Sequence, residues 1–427
     1  MRITKNRVWT FAALLLVSFL LQVAYKQWAV VIYAYQGMFP FEHTFALTLA
    51  QLAMLVAVAA MLPTKVTLPS DFYLLFYPWF VLVPFANIFP GGGYVGVSGS
   101  VVLFSLLAIP CLVVLLTRRF SIRTPVFPVL SENALMLILF CFSAFFFGWA
   151  LARGLKFSLV WDEMYLRRAI GRELIESRSV LAYGLSATTN GVVPLMALFG
   201  GYRRSIALGS ASMFLAILGF AAIGSKSPAA MSALFFALGW VQRSTSFRSR
   251  IPFAFSIIVC STVLGAYSLY LWSGNDLVLD IFVRRVFFAT ATNIGMYWDL
   301  LNSYSVVEIL FGKDHGVQLT FFVGEAYYGN AASNINVSAF LLSLLQGGAL
   351  WYVVSMVAAA IFLTAVDRRF QESGHVGYML VGAAFGLLIA EQAWTTALVS
   401  SGALFIFTLL GVLKTKTGGK LITRDTA

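Results

Sequence analysis

Two adjacent arginines, Arg284 and Arg285, follow Asp280 by four and five residues in a long polar stretch, 273–333. On a helix, adjacent side chains point about 100° apart, so both guanidinium groups cannot face one ligand squarely. One of them is placed to pair with Asp280, and the other can then bind an anion. Because a guanidinium binds phosphate oxygens through two parallel hydrogen bonds, the pattern favours phosphate chemistry. The alternative interpretation is a set of surface ion pairs.

A second candidate anion site is the short turn Gly224-Ser225-Lys226-Ser227-Pro228. Gly224 permits a tight turn, the two serine hydroxyls and the amides at the next helix start can donate hydrogen bonds, and Lys226 supplies a positive charge. The spacing is shorter than that of a Walker A loop, which argues against ATP. A polar turn with a snorkelling lysine is the competing interpretation.

The polar residues concentrate in two long segments, 153–179 and 273–333. The first interleaves apolar side chains with charges, which is typical of an amphipathic interfacial helix, and its arginines Arg167, Arg168 and Arg172 are interpreted as a clamp on lipid headgroups. The second is rich in aromatic residues, and apolar spacings of three and four predict short helices between Asp280 and Tyr304. We expect it to pack a small core of its own against the membrane face.

The chain as a whole is too apolar for a water-soluble fold, with 60% hydrophobic and 11% charged residues among 427. The fold class is therefore an all-α polytopic membrane protein, with residues 1–427 forming a single transmembrane domain of about twelve helices. The apolar runs are 8–25, 44–62, 72–89, 99–116, 134–151, 180–199, 205–224, 229–241, 251–272, 337–366, 376–389 and 396–413. The stretch 334–366 is longer than one crossing needs, and Gly347-Gly348 is the expected break.

The charges predict an orientation. If the basic N-terminus is cytoplasmic, alternate loops on that side hold 18 of the 29 basic residues but only five of the 17 acidic ones. The net charge of +12 is then a cytoplasmic excess, which follows the positive-inside rule and argues against nucleic-acid binding. Both termini are expected on the cytoplasmic side, with the two long loops on the other.

The order of these parts resembles the bacterial O-antigen polymerases, the Wzy-type polymerases of oligosaccharide repeat units, which are related to the O-antigen ligases. The resemblance rests on the arginine-rich loop after the fifth helix, the Gly224 to Ser227 turn, the Arg284-Arg285 element and the helix start Ser333-Asn334-Ile335-Asn336 before Gly347-Gly348. Ligases typically carry a Ser-Arg pair at the turn and a His-Asn pair at the helix start. Here the turn has Lys226 in place of the arginine, and the helix start has Ser333-Asn334 with no histidine. Both differences favour a polymerase over a ligase.

The resemblance implies a GT-C-like membrane glycosyltransferase with two large periplasmic loops in the bacterial inner membrane, active at the periplasmic face. The substrate would be an oligosaccharide on undecaprenyl pyrophosphate, and the reaction would transfer the growing chain to a hydroxyl of the next unit for O-antigen or a related surface polysaccharide. No cofactor or metal is expected, since cationic side chains can balance the leaving pyrophosphate and the sequence has no Asp-x-Asp element. Membrane lipids, a chain-length regulator and a flippase are the implied partners.

Site roles follow from the same resemblance. Glu325, Asp299 and His315 are candidates for the base that accepts the hydroxyl proton, and each also fits a structural role. The expected contacts to pyrophosphate and substrate are Lys226, Arg284, Arg285, Ser225, Ser227, Arg167, Arg168, Arg172, Asn334, Asn336, Tyr327 and Tyr328.

Two other functions remain open. One is an O-antigen ligase, and the other is a flippase or transporter of lipid-linked oligosaccharides. A transporter usually carries ionisable residues along a path inside its helices and shows an internal repeat. Glu391 is the main intramembrane candidate, and the sequence shows no self-similar halves.

Overall fold

The computed structural model describes residues 5–40, 42, 44–92, 96–120, 122, 129–155, 157–160, 179–224, 227–244, 250–331 and 333–413. Within these residues the chain is almost wholly helical and forms no strand, and one isolated bridge joins Leu130 to Leu413. The architecture agrees with the all-α polytopic membrane protein that the composition predicts.

Each predicted apolar run contains at least one helix. The α-helices are α1 Lys5–Ala24, α2 Val30–Tyr33, α3 Phe45–Met61, α4 Pro69–Tyr77, α5 Val83–Ile88, α6 Val97–Thr117, α7 Glu132–Ala152, α8 Val180–Ala187, α9 Val193–Arg203, α10 Ile206–Ile223, α11 Ser227–Gln242, α12 Ile251–Ser273, α13 Ala289–Asn302, α14 Val306–Phe311, α15 Leu319–Tyr328, α16 Ala339–Ser373, α17 Gly377–Leu388 and α18 Ala403–Gly411. Wider π-helical segments are Tyr25–Ala29, Pro78–Leu82, Thr188–Val192, Leu279–Phe288 and Thr396–Ser400.

Seven helical stretches of the described chain are long and apolar enough to cross a membrane. They are Arg7–Gln36, Pro69–Ile88, Val97–Thr117, Glu132–Ala152, Val180–Arg203, Ile251–Ser273 and Ala339–Ser373. Four apolar helices are shorter: Phe45–Met61, Ile206–Ala222, Pro228–Gln242 and Gly377–Leu388. The protein is therefore membrane-embedded, while the count of twelve crossings and the GT-C-like arrangement remain predictions.

The first helical stretch is longer than its apolar run. The run ends at residue 25, but helical structure continues to Gln36. Two contacts hold this extension against the rest of the bundle. The Tyr267 hydroxyl donates to the side-chain oxygen of Gln27. The centre of the fully buried Trp28 ring lies 6.3 Å from the centre of the Phe288 ring. The extension brings the last turns of this stretch beside the polar segment 273–333.

The stretch Pro69–Ile88 lies at the centre of the bundle, with 94% of its length buried. Helix α17 crosses it at very short range through two glycines four residues apart. A Cβ on Gly382 would lie 2.2 Å from the carbonyl oxygen of Pro69, and one on Gly386 would lie 2.8 Å from the Cα of Tyr73. This is the small-xxx-small spacing that lets membrane helices bring their backbones together.

Helix α16 breaks at the predicted position. Gly347 (φ −132°, ψ 17°) and Gly348 (φ 68°, ψ −167°) interrupt its 35 residues. The first segment starts beside the middle of the central stretch, where Ser338 and Tyr77 share a hydrogen bond of 3.0 Å between their hydroxyls. The second segment leads from Gly348 to Asp367, a distance of about 28 Å along a helix. It therefore connects opposite ends of the bundle.

The polar segment 273–333 packs onto one of these ends. Its predicted helices are present, and the residues that face the bundle are buried: Leu279, Val283, Phe287, Phe288 and Tyr297. The Phe288 ring meets the Tyr25 ring edge-on at 5.3 Å, and the Tyr297 hydroxyl donates to the carbonyl oxygen of Ile335 at 2.7 Å. These contacts fix the segment that carries seven of the fifteen candidate site residues.

Candidate functional site

Arg284 is held by side chains from two distant parts of the chain. Its Nε donates to Asp280 Oδ1, which confirms the predicted pair, and its Nη1 donates to Gln36 Oε1 at 2.9 Å. The guanidinium carbon lies 4.5 Å from the centre of the Tyr33 ring, and the Tyr33 hydroxyl donates to Asp280 Oδ1 at 2.8 Å. We call Tyr33, Gln36, Asp280 and Arg284 the arginine cluster.

Charge within the arginine cluster is balanced. Burial alone would raise the pKa of Asp280, but hydrogen bonds from Arg284 and Tyr33 outweigh it, and the pKa lies below its usual value. Asp280 is therefore anionic and neutralises Arg284, whose side chain is only 14% exposed. The adjacent Arg285 is exposed, and its positive charge also lowers the pKa of Asp280. The two arginines thus differ: Arg284 is paired within the arginine cluster, whereas the side chain of Arg285 is exposed.

Helix α15 links the arginine cluster to two of the candidate bases. At its start, the Phe322 ring lies 4.2 Å from the His315 ring. Near its end, the Tyr327 hydroxyl donates to Asp299 Oδ2 at 2.6 Å. Tyr328, the last residue, lies close enough to Arg284 for that charge to lower its pKa, although burial raises the pKa overall. Six helical residues span about 9 Å, so these groups share one end of the bundle.

A cavity of about 520 Å³ lies next to His315. Its lining residues are Phe311, Gly312, Lys313, Asp314, His315, Val317, Gln318, Leu319 and Gln346. Lys313 Nζ lies 2.9 Å from Glu308 Oε1 and 5.4 Å from the centre of the Tyr304 ring. The backbone amide of Ser305, the Lys313 side chain and the Ser305 hydroxyl each donate a hydrogen bond to Glu308. These bonds lower the pKa of Glu308 to about 2. The cavity wall therefore combines fixed charges with amide and imidazole groups.

His315 is positioned for proton exchange. Its Nε2 lies 2.6 Å from the Tyr304 hydroxyl, with the donor set by the imidazole tautomer. Burial lowers the pKa of His315 below its usual 6.5, and the nearby Lys313 charge lowers it further. The ring is therefore neutral at pH 7 and can accept a proton.

We expect the His315 ring to titrate below pH 6.5. Protonation favours the unfolded chain, so the contribution of His315 to stability is complete above pH 6.5 and is lost as the pH falls through the lowered folded-state pKa. The measurement is an NMR titration of ring nuclei, which is tractable because the chain has three histidines. His315→Asn assigns the signal, and a midpoint at or above 6.5 would contradict the expectation.

The remaining described candidates lie at the surface of the same region. Glu325 is exposed on α15. Asn334 and Asn336 are exposed in the segment before α16, where Asn293 Nδ2 donates to the carbonyl oxygen of Asn336 at 2.8 Å. The backbone around Asn336 is thus tied to α13, which leaves its side chain at the surface.

Several candidates lie outside the described residues. They are Arg167, Arg168, Arg172, Ser225 and Lys226. Ser227 is the first residue of α11, and its side chain is not described. Their predicted contacts with lipid headgroups and pyrophosphate stay predictions.

Two members of the arginine cluster, Tyr33 and Gln36, were not among the residues selected from the sequence. They come from the helical stretch after residue 25, which the apolar run did not include. A usable signal was present, because Tyr33 and Gln36 are three residues apart and therefore lie on one helix face. Tyr304 was also missed, since a tyrosine eleven residues before His315 has no local spacing that marks it as a partner.

Compared with known proteins, the chain matches no family model, no curated protein sequence and no solved structure.

Proposed function

We propose that the chain is a metal-independent membrane glycosyltransferase that polymerises oligosaccharide repeat units carried on undecaprenyl pyrophosphate. The observation that carries the proposal is the assembly of Arg284, Asp299, His315 and Tyr327 around α15 at one end of the bundle. These residues span 44 positions of the sequence and include cationic, basic and aromatic groups. A transfer from a lipid pyrophosphate to a sugar hydroxyl uses cations at the leaving group and a base at the hydroxyl, and aromatic faces can stack against the sugar rings.

In the proposed reaction, the acceptor hydroxyl oxygen forms a bond to the anomeric carbon of the growing chain. The bond between that carbon and the pyrophosphate oxygen breaks, and undecaprenyl pyrophosphate leaves with both electrons. Arg285 is the exposed cation assigned to the leaving group, because a guanidinium stabilises developing negative charge on phosphate oxygens. Lys226 is assigned the same role from the sequence.

His315 is assigned the hydroxyl proton. Its neutral imidazole can take the proton, and Tyr304 at 2.6 Å orients the ring. Asp299, one of whose oxygens accepts the Tyr327 hydroxyl, is the second candidate for this proton. Tyr327 and Tyr328 offer aromatic faces to sugar rings beside these groups.

The proposal includes an orientation in the bacterial inner membrane. The end that carries the arginine cluster faces the periplasm, and both termini lie in the cytoplasm. The support is the second segment of α16, which runs about 28 Å from Gly348 to Asp367. It separates the segment 273–333 from Arg118, Arg368 and Arg369, which lie at the other end of the bundle. Those arginines lie at helix ends that the positive-inside rule assigns to the cytoplasm.

The test compares surface glycan on a gel from cells that lack the gene and cells in which it is restored. We expect a ladder in the restored cells and a single capped repeat unit without the gene. Loss of all glycan from its surface anchor, with lipid-linked polymer accumulating, would indicate a ligase. Single units retained on the cytoplasmic side would indicate a flippase, and an unchanged ladder would refute the proposal.

A variant pair tests the assigned role of Arg285. Arg285→Ala is expected to slow polymerisation about 100-fold, the usual cost of removing one donor to a developing charge. Arg250→Ala is the matched control, because Arg250 is also exposed but begins α12 at the other end of the bundle. Equal ladders from both variants, at equal protein levels, would remove Arg285 from the mechanism.

A further inference from the structure

A second cavity, of about 190 Å³, lies at the end of the bundle opposite the arginine cluster. Its lining residues are Arg118, Arg119, Phe120, Thr364, Asp367, Arg368 and Gln371. They come from the end of α6 and from the last turns of α16. The cavity volume is sufficient for a phosphate group, and three guanidinium groups contribute to its wall.

A network of hydrogen bonds holds one of these guanidinium groups in place. Arg118 Nε donates to Ser70 Oγ and its Nη2 donates to Asp71 Oδ1, each at 2.8 Å. Ser70 in turn donates its amide to Asp367 Oδ1 at 2.8 Å and its hydroxyl to Asp367 Oδ2. The first turn of α4 therefore ties α6 to α16 directly behind the cavity. The site is preorganised and does not depend on surface side chains alone.

Every carboxylate oxygen of this network already accepts a hydrogen bond. Both Asp367 oxygens accept from Ser70, and the second Asp71 oxygen accepts from the amides of residues 67 and 68, each at 2.7 Å. The two Glu372 oxygens accept from Arg368 Nε and Arg369 Nη1. Asp367 thus lines the cavity with each of its oxygens accepting one hydrogen bond from Ser70.

Guanidinium donors, in contrast, remain in excess. Among the described residues, Arg118 Nη1, both Nη atoms of Arg368 and the whole Arg119 guanidinium have no hydrogen-bond acceptor. Four arginines, Arg118, Arg119, Arg368 and Arg369, face three carboxylates in this network. The arginines therefore exceed the carboxylates by one charge. Several guanidinium N–H groups without an acceptor among the described residues border the cavity. A phosphate oxygen is the acceptor that this geometry fits.

We propose that this cavity binds a phosphate group, supplied by the headgroup of an acidic phospholipid. A headgroup is the source that fits the location, because the cavity lies at a helix end in a membrane-embedded protein, where basic residues meet lipid phosphates. The site is independent of the glycosyltransferase proposal. It anchors the ends of α4, α6 and α16 to the membrane surface.

The experiment uses the full chain purified in mild detergent. Native mass spectrometry counts the molecules of phosphatidylglycerol that stay bound after addition, with phosphatidylcholine as the zwitterionic comparison. We expect one more tightly retained phosphatidylglycerol in the wild type than in Arg119→Ala, with affinity reduced about tenfold in the variant. Arg119 is exposed and unpaired among the described residues, so its substitution leaves the hydrogen-bond network intact.

Arg250→Ala, which removes an exposed arginine outside the cavity, is expected to bind like the wild type. A parallel titration with inorganic phosphate separates the two sources of the ligand. Competition between phosphate and the retained lipid supports a phosphate site that a headgroup occupies. Phosphate binding that depends on Arg119, with no retained lipid, overturns the lipid source, and equal binding by all variants overturns the site itself.

Discussion

Replacing Gly348 with alanine is expected to prevent stable folding of the membrane domain. The backbone at Gly348, with φ 68° and ψ −167°, lies in a region that residues other than glycine hardly adopt. An added Cβ would also lie 2.3 Å from the carbonyl oxygen of Leu310 and 2.4 Å from the amide nitrogen of Phe311. Since both are backbone atoms, α14 would have to move away. We expect a loss of at least about 3 kcal/mol, measured by thermal unfolding in detergent and by the yield of monodisperse protein.

Gly265→Ala is the matched control for this prediction. Gly265 lies inside α12, and a Cβ there meets no atom within 4 Å. Alanine favours helix over glycine, so the control should be neutral or more stable by about 0.5 to 1 kcal/mol. Wild-type stability in Gly348→Ala would mean that the break in α16 does not require glycine.

Replacing Arg284 with alanine is expected to destabilise the protein and to abolish the proposed polymerase activity. The change leaves the partly buried Asp280 carboxylate without its cation and Gln36 without its donor. A buried ion pair broken in this way costs about 3 to 5 kcal/mol and an exposed one less than about 1 kcal/mol. The side chains of Arg284 and Asp280 are 14% and 23% exposed, so this pair lies between the two cases. We expect the substitution to lower the free energy of unfolding by about 2 kcal/mol. Thermal unfolding and the glycan ladder are the two measurements.

A double variant separates stability from activity. Arg284→Gln with Asp280→Asn removes both charges and keeps the sizes similar, so much of the lost stability should return. If Arg284 acts only by fixing the local structure, the ladder should return with it. A stable double variant without polymer would show that the charged groups of Arg284 and Asp280 are needed beyond their effect on stability.

The helices were predictable because their signals are local. Apolar runs of membrane length mark α6, α7 and α12, and the adjacent Gly347 and Gly348 mark the break in α16. The pair between Asp280 and Arg284 follows in the same way from a spacing of four residues.

Contacts between distant segments were not predictable from the same patterns. Tyr33 and Gln36 reach Arg284 across 251 and 248 positions, and nothing in either segment specifies the other. Ser70 and Asp367 are a similar case, with 297 positions between them. The sequence therefore indicates which residue types could bear chemistry, while their partners depend on how the helices pack.

The last helices show a further limit. The run 376–389 contains α17, whose twelve residues span about 18 Å, less than the roughly 30 Å of a bilayer core. Composition alone did not distinguish a short helix that packs against α4 from a helix that spans the whole membrane. Gly382 and Gly386 were the available indication, because their four-residue spacing favours close helix contact.

The close crossing of α4 by α17 sets an order of events during biosynthesis. The central stretch Pro69–Ile88 leaves the ribosome about 300 residues before its partner, which corresponds to roughly 15 to 60 s of synthesis. Throughout that time the face of this stretch that packs against Gly382 and Gly386 lacks its partner and lies against lipid or earlier helices. Truncations that end before α17 are therefore expected to lack this close helix contact and to be less stable than the full chain.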